Sequence, residues 1–484
     1  TLNFPGPGRQ LCMHVLAKRF SGLVPWFRSA TMRPAAPVWL SLLLVLALSP
    51  RASAQATARI TGTVRDSSGA AIAGATVKAT NVNTGFELSR QTLEDGTYTL
   101  PLLPVGEYRL QTEVEGFQPF TRTGLVLTVD AIVTVDITLQ VGKVADAISV
   151  TAEAPLLEAQ TGSLRGVIDQ QRIVNLPLNG RDITQLVAIQ AGVVLRSSSS
   201  SEGNAYSVNG SRGNGVYYML DGGMNTDSYR NYSGLFPNPD AVQEFAIQKN
   251  NFTAEYGNAT GAVVSVVTKS GTNEFHGSAF EFLRNGAFNA RNFFAEKRDN
   301  LKRSQFGGTI GGPIVRNKAF FFFGYQGTRL STDPQTTRQF LPTEAMRRGD
   351  FSNLSKTIID PLTRQPFPGN QIPADRLSPV SQALLQYIPV PASPTGERLT
   401  GFRNNPSEDE YTARIDYNLD SHRFSGRYFR RNYTRPFSGN EQDLASMFTS
   451  DVGRSIQPYS HWTFSDVWVI SPSLINNATF AIRS

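Results

Sequence analysis

Residues 256–273, Y-G-N-A-T-G-A-V-V-S-V-V-T-K-S-G-T-N, mark a change in the kind of order this chain carries. Upstream, glycines and short β-branched runs suit a compact mixed domain. Downstream, apolar residues fall on alternate positions. In Tyr411, Thr412, Ala413, Arg414, Ile415, Asp416 and Tyr417 one face is apolar and the other polar, the period of a strand with two different surroundings. Phe306, Gly308, Ile310, Gly312 and Ile314 alternate in the same way with Gln305, Gly307, Thr309 and Gly311, and Phe321, Phe323 and Tyr325 follow. Phe424, Gly426 and Tyr428 alternate with Arg423, Ser425 and Arg427 beyond a turn at Asp420 and Ser421, which predicts a hairpin with the Tyr411 strand. Such strands build an antiparallel barrel, apolar toward lipid and polar within. Between them Pro361, Pro366, Pro368, Pro373, Pro379, Pro389, Pro391 and Pro394 preclude a central strand and predict a long extracellular loop. The adhesion tripeptide Arg348, Gly349, Asp350 nearby is too short to carry weight.

A chain of 484 residues, 40% hydrophobic and 18% charged, predicts several domains and excludes a disordered protein. Its 41 Gly, 30 Phe and 15 Tyr favour turns and aromatic strands. The net charge of +7 comes from scattered residues such as Arg230, Arg284, Arg291, Arg303, Arg430 and Arg431. They form no basic stripe, so no nucleic-acid partner is expected.

From Met32, the basic Arg33, the apolar stretch 38–48 and the A-x-A triplet Ala52, Ser53, Ala54 predict a secretory signal peptide over residues 32–54, cleaved after Ala54. Residues 1–31 precede that start and are expected not to be translated. The only cysteine, Cys12, lies among them, so the mature chain is expected to hold no disulfide or cysteine metal site.

Over residues 58–145, short strands at 60–65, 75–80, 86–92, 97–100 and 107–114 alternate with turn signals such as Asp95 and Gly96, the spacing of a small β-sandwich. The strings I-T-G-T-V-R-D-S-S-G-A-A-I-A-G-A-T-V and D-G-T-Y-T-L-P-L-L-P-V-G-E-Y-R-L resemble the carboxypeptidase regulatory-like domain. That resemblance implies a prealbumin- or carbohydrate-binding-like sandwich without catalytic residues, serving as an accessory module for glycan or protein, or as a spacer. Tyr98, Tyr108 and Phe117 are expected in its core.

Four strings then follow in order: I-V-N-L-P-L-N-G-R-D (173–182), Y-Y-M-L-D-G (217–222), V-Q-E-F-A-I (242–247) and the Y-G segment itself. Together they resemble the plug of the TonB-dependent receptors of the bacterial outer membrane. Asp182 is expected to cap a helix whose apolar face is Ile183, Leu186 and Val187, with Gly192 ending it. N-F-T-A-E-Y-G-N-A-T-G (251–261) resembles the Oar-like branch, in which a regulatory-like domain precedes the plug. The resemblance implies a mainly β fold: the sandwich, an α+β plug over 153–272, and the first part of an antiparallel transmembrane β-barrel over 273–484. It also implies a periplasmic N-terminal domain and an outer-membrane location, with outer-membrane lipid around the barrel.

Asp146, Ala147, Ile148, Ser149, Val150, Thr151 and Ala152 resemble the TonB box in composition and place. A TonB-type energy-transducing protein of the inner membrane would pair with this strand by β-augmentation. A linker or a last sandwich strand fits the same residues. Arg212, Asp221, Asn225, Asp227, Tyr229 and Arg230 are the candidates to meet an extracellular ligand, whether glycan, peptide or metal chelate, with structural loop pairing as the alternative. No cofactor and no metal site are expected. Nor is a catalytic constellation: His276, His422 and His461 are dispersed, and the glycines at 203 and 210–215 lack the Lys and Ser/Thr of a phosphate loop. Energised uptake is the leading expectation, and a structural or adhesive surface protein the rival. Plugged transporters close with about 22 strands at no fewer than roughly 20 residues per pair, and residues 275–484, much of them taken up by the long proline-rich loop, are expected to supply only about eight. Ala478, Phe480 and Ile482 keep the alternation to the end, so the gene is expected to continue.

Overall fold

The computed structural model describes residues 57–142, 148–151, 164–199, 203–227, 229–252, 256–257, 259–291, 293, 298–332, 335–402, 405–435, 455–471 and 474–484. The expected leader, Cys12, and Asp146, Ala147 and Ala152 lie outside them.

Hydrophobic residues at alternate positions fold the first region into two packed sheets. One holds β1 (Ala58–Asp66) between β4 (Thr97–Leu103) and β7 (Ile132–Thr134), with β8 (Ile137–Leu139) also on β1. The other runs β3 (Glu87–Gln91), β2 (Thr76–Asn81), β5 (Gly106–Glu113), β6 (Phe120–Leu127) and β9 (Ile148–Thr151). Ile60, Leu100, Leu110 and Leu125 are fully buried between them, and truncating one to alanine costs roughly 2–5 kcal/mol. Tyr98 and Tyr108 are core aromatics as expected, the Tyr98 hydroxyl donating to Val135 O at 2.6 Å. Gly62 is required by a close approach: a Cβ there would lie 1.9 Å from Val135 O.

The plug is a five-stranded sheet in the order β10 (Arg165–Asp169), β15 (Val242–Gln248), β16 (Ala262–Thr268), β13 (Val216–Leu220), β14 (Gly223–Met224). β16 is antiparallel to β15 and parallel to β13, and every residue of it is buried. A strand covered on both faces has no use for alternation, which is why A-V-V-S-V-V-T reads as a continuous apolar run. Beside the sheet lie a hairpin of β11 (Val193–Ser199) and β12 (Gly203–Val208) and two short helices, α1 (Gln170–Asn175) and α2 (Gln185–Ala188). Asp182 accepts from the amide and hydroxyl of Thr184 ahead of α2, and Ile183, Leu186 and Val187 are buried. The sequence reading missed α1, which Asp169 caps by accepting from the Arg172 amide.

The third region is an antiparallel sheet of seven strands: β17 (His276–Asn285), β18 (Lys302–Val315), β19 (Ala319–Ser331), β22 (Ser407–Asn418), β23 (His422–Arg435), β24 (Ser455–Ser471) and β25 (Leu474–Arg483). Its edges are β17 and β25. The strands are 10 to 17 residues long, enough for a tilted membrane crossing of about 9–11 residues. Thr412 and Asp416, Arg423 and Ser425, and His461, Thr463 and Ser465 are buried toward the plug, while Ile415, Phe424, Phe464 and Phe480 are exposed on the outer face. Outward-facing Phe306, Tyr325 and Tyr411 cluster toward one end, and His422, Phe424 and Trp468 stack toward the other, the disposition of the two aromatic girdles of an outer-membrane barrel.

Turns at 316–318 and 419–421 join strands at one end and long connections join them at the other, which assigns the first end to the periplasm and the second to the outside. The proline-rich connection is more ordered than the sequence suggested. It contains its own hairpin, β20 (Gln335–Phe340) with β21 (Glu397–Phe402), and two helices, α3 (Glu344–Arg347) and α4 (Pro379–Leu385). The prolines lie between the paired strands and so interrupt no ladder.

Candidate functional site

At the extracellular end, plug and barrel wall enclose a cavity of about 910 Å³. On the plug side it is built by the turn after α1 and by Asp227, Tyr229, Arg230 and residues 233–236. In that turn Gly180 and Arg181 both take left-handed backbone, φ 73° and 59°, which turns the Arg181 side chain inward. Its Nε donates to Gln326 Oε1 on β19 at 2.9 Å, its terminal nitrogen pairs with Asp240, and its guanidinium lies 4.2 and 4.5 Å from the ring centres of Phe282 and Phe280. Gln305 Nε2 donates to Gly180 O at 3.1 Å, and Arg284 to Asn179 Oδ1 at 3.3 Å. Asn179, Gly180 and Arg181 therefore fasten the plug to three wall strands. The sequence reading took them only as the lead into a helix, and the signal available there was a charged residue after Asn-Gly, a pair that favours left-handed turns.

Of the ligand candidates, Asp227, Tyr229 and Arg230 line this cavity. Asp227 Oδ2 accepts from the Arg230 amide at 2.9 Å, and Asp227 Oδ1 lies 3.8 Å from Arg483 on β25. Tyr229 is 87% exposed. The wall adds Arg303, the Glu408–Arg431 ion pair, Glu410 and Tyr433. Both signs of charge, amides and tyrosine hydroxyls thus face one solvent-filled space.

The other three candidates lie elsewhere. Asn225 is fully buried; its Nδ2 donates to Leu235 O at 3.0 Å and its Oδ1 accepts from Tyr459 on β24, a plug-to-wall bond. Arg212 is exposed on the turn between β12 and β13, outside the cavity lining. Asp221 is 2% exposed, at the periplasmic side of the plug. Its left-handed backbone, φ 51°, turns the carboxylate back to accept from the amide and hydroxyl of Thr268, at 2.8 and 3.0 Å. Arg414 and Arg427 of the wall approach it at 3.9 and 3.6 Å, and Asp416 holds Arg414 at 2.7 Å. Beside them Arg423 donates to Leu102 O of the sandwich at 3.1 Å and covers the Phe86 ring. Three regions meet here around a cavity of only about 150 Å³. Buried charges of this kind persist only when paired and hydrogen-bonded.

Within the TonB-box-like segment, residues 148–151 form β9, parallel to β6 at the edge of the sandwich. The alternative of a last sandwich strand thus describes the same residues in this structure.

The family model of the carboxypeptidase regulatory-like domain matches residues 59–140, that of the TonB-dependent receptor plug domain 158–263, and that of the outer membrane beta barrel domain 267–484. The chain is 27% identical over 322 residues to the TonB-dependent transporter Oar of Myxococcus xanthus, covering 64% of this chain and 30% of that protein. It thus spans under a third of the length of that curated relative. Among solved structures, the ferric enterobactin receptor of Pseudomonas aeruginosa is 14% identical, with 66% of this chain and 40% of that one covered at a TM-score of 0.40. For the siderophore receptor PirA of Acinetobacter baumannii the figures are 14%, 66%, 47% and 0.33. With the plug and barrel domains in their order behind a regulatory-like sandwich, the chain belongs to the TonB-dependent receptors of the outer membrane.

Proposed function

We propose that this chain binds an extracellular ligand in the vestibule between plug and wall and passes it to the periplasm when an inner-membrane transducer of TonB type pulls on residues 146–152. The observation that carries the reading is the vestibule itself: a roomy polar cavity at the extracellular end, walled by plug and barrel together. A ligand touching both parts senses their relative position, so its binding shifts the plug equilibrium without any bond being made. The mixed charges, amides and tyrosines suit a glycan, a peptide or a metal chelate. The adhesive alternative gains little from the Arg348, Gly349, Asp350 tripeptide, since Gly349 is buried with its Cβ position 2.3 Å from Ile372 O, and the Asp350 carboxylate caps Ser352.

Mass spectrometry of material copurifying with the protein identifies the ligand, and its labelled form then tests transport. Deletion of residues 146–152 is expected to abolish accumulation and leave surface binding unchanged. Equal accumulation by the deletion and the parent refutes energised uptake and favours the structural role.

A further inference from the structure

We infer that the regulatory-like sandwich is the handle by which the plug is pulled: a partner strand adds to the outer edge of β9 while β9 stays on β6, and the load passes through turn 128–130 into β15 and β16. This rests on the reading of β9 as the transducer-binding segment and goes beyond it, because a free peptide is not what the partner meets.

Two observations carry it. First, β9 is already a strand. Phe120, Thr121, Arg122 and Thr123 of β6 stand opposite Ile148, Ser149, Val150 and Thr151 in parallel register. Since β9 ends the sheet order, its second row of backbone donors and acceptors is that of an edge strand, the template for strand addition.

Second, β6 runs directly into the turn that grips the plug. Val129 is fully buried against Ala246 and Val267, and its amide donates to Glu244 Oε1 at 2.8 Å. Asp130, at φ 59°, accepts from Gln248 Nε2 at 2.9 Å, Ser265 Oγ at 3.2 Å and the Tyr256 hydroxyl at 3.4 Å. Thr128 accepts from Arg165 of β10. The covalent route from Thr151 to Leu164 is twelve residues, with a reach of about 40 Å when extended. A bonded, buried contact takes up load before a connection of that reach is drawn taut.

Three measurements test this, using the purified periplasmic domain of the TonB-type protein from the same bacterium as the probe. A peptide of residues 144–154 is expected to bind that domain; if it does not, the assignment of β9 as its target is wrong, and the handle falls with it. The double variant Thr121→Cys, Ser149→Cys closes a disulfide across the β6–β9 register, and opposed strand residues lie within the Cα separations such a bond needs. Oxidised and reduced forms are expected to bind the domain within twofold of each other. A tenfold loss on oxidation that reduction restores, with the peptide still binding, means that the partner strips β9 from β6 and overturns the handle alone. Finally, the barrel-anchored protein is pulled through the bound domain in a force microscope. The parent is expected to extend its plug without a preceding step, whereas Asp130→Ala introduces an early step of at most about 40 Å, the reach of the connection, and Asp130→Asn, which retains an acceptor, behaves closer to the parent. An early step already present in the parent overturns the proposal, and protease resistance of the plug in each variant confirms that it is folded.

Discussion

The plug meets its surroundings in two unlike ways. Toward the outside it faces the wall across a cavity of about 910 Å³, with an exposed tyrosine and an ion pair, Asp227–Arg483, open to water. Toward the periplasm the remaining space is about 150 Å³, Asp221 and Asp416 are buried, and the Arg414 and Arg427 side chains are only 11% and 10% exposed. Charges in water interact weakly and exchange partners readily; charges out of water are held by each other and cannot be removed singly without penalty. One seam is therefore suited to exchanging a ligand and the other to holding the plug in place.

If that contrast is right, the largest loss comes from Asp221→Ala. It takes the acceptor from Thr268 and the carboxylate partner at 3.6 Å from Arg427, while Arg414 keeps Asp416, and breaking a buried ion network from one side costs about 3–5 kcal/mol. Thermal unfolding of the purified protein and protease sensitivity of the plug should both show it. Asp221→Asn, which can still accept from Thr268, should fall between the variant and the parent.

Arg181 sharpens the comparison because it is a buried anchor at the open end. Arg181→Ala removes the partner of Asp240 and the donor to Gln326, and should cost about 3 kcal/mol. A loss as small as that of a surface pair would mean that the extracellular seam has no fixed anchor and that the contrast between the two ends is steeper still.

A third test uses pH at the junction of sandwich and plug. Burial pushes the Asp130 carboxyl up to about 6 and Glu244 up to about 7, while Arg165 nearby works in the opposite direction for both. Asp169 adds to the rise at Glu244, and Gln248, Ser265 and Tyr256 bond the ionised Asp130. Groups whose pKa rises on burial hold the contact best below their free values of 3.8 and 4.5, and that contribution is lost as the pH climbs through about 6 and about 7. Hydrogen exchange of the Val129 amide, corrected for intrinsic rate, should lose protection between pH 5 and 8 by more than about tenfold, since tenfold is what a single pKa unit represents and both carboxyls titrate in that window. Glu244→Gln should flatten the dependence, whereas a flat parental profile would show the junction indifferent to charge.

Much of this architecture was legible because one periodicity decides it. Alternation placed Arg414 and Asp416 inside and Ile415 and Tyr417 outside without reference to any other strand, and a slip of one residue would have put charge into lipid. The anchors were less legible. Asp221 reads as a ligand candidate because it stands near Arg212, Asp227, Tyr229 and Arg230 in the sequence, yet its direction is set by a left-handed backbone and by Thr268, which lies 47 positions on. Arg181 depends on Gln326, 145 positions away, and β20 pairs with β21 across the whole proline-rich insertion. Contacts closed by the fold over such separations leave no local spacing to read. Asp227, Tyr229 and Arg230 could be found because they belong to one tight loop whose location alone brings them to the cavity.

The smallest change in stability should come from that loop. Asp227→Asn gives up a half-exposed pair with Arg483 at 3.8 Å, worth about 0.5 kcal/mol and screened by salt. Tyr229→Ala removes a ring that is 87% exposed, so stability should stay within about 0.5 kcal/mol of the parent. Ligand affinity is the discriminating readout. Tyrosine is rigid and amphipathic, and truncating one at the centre of a contact costs about 2 kcal/mol or more, which is some thirtyfold in Kd. A variant that melts with the parent but binds its copurified ligand thirtyfold more weakly places recognition on the plug loop. Unchanged affinity in both variants would move recognition to the wall, where Arg303, Glu408 and Arg431 line the same cavity, and would leave the plug loop as a lid with no part in selection.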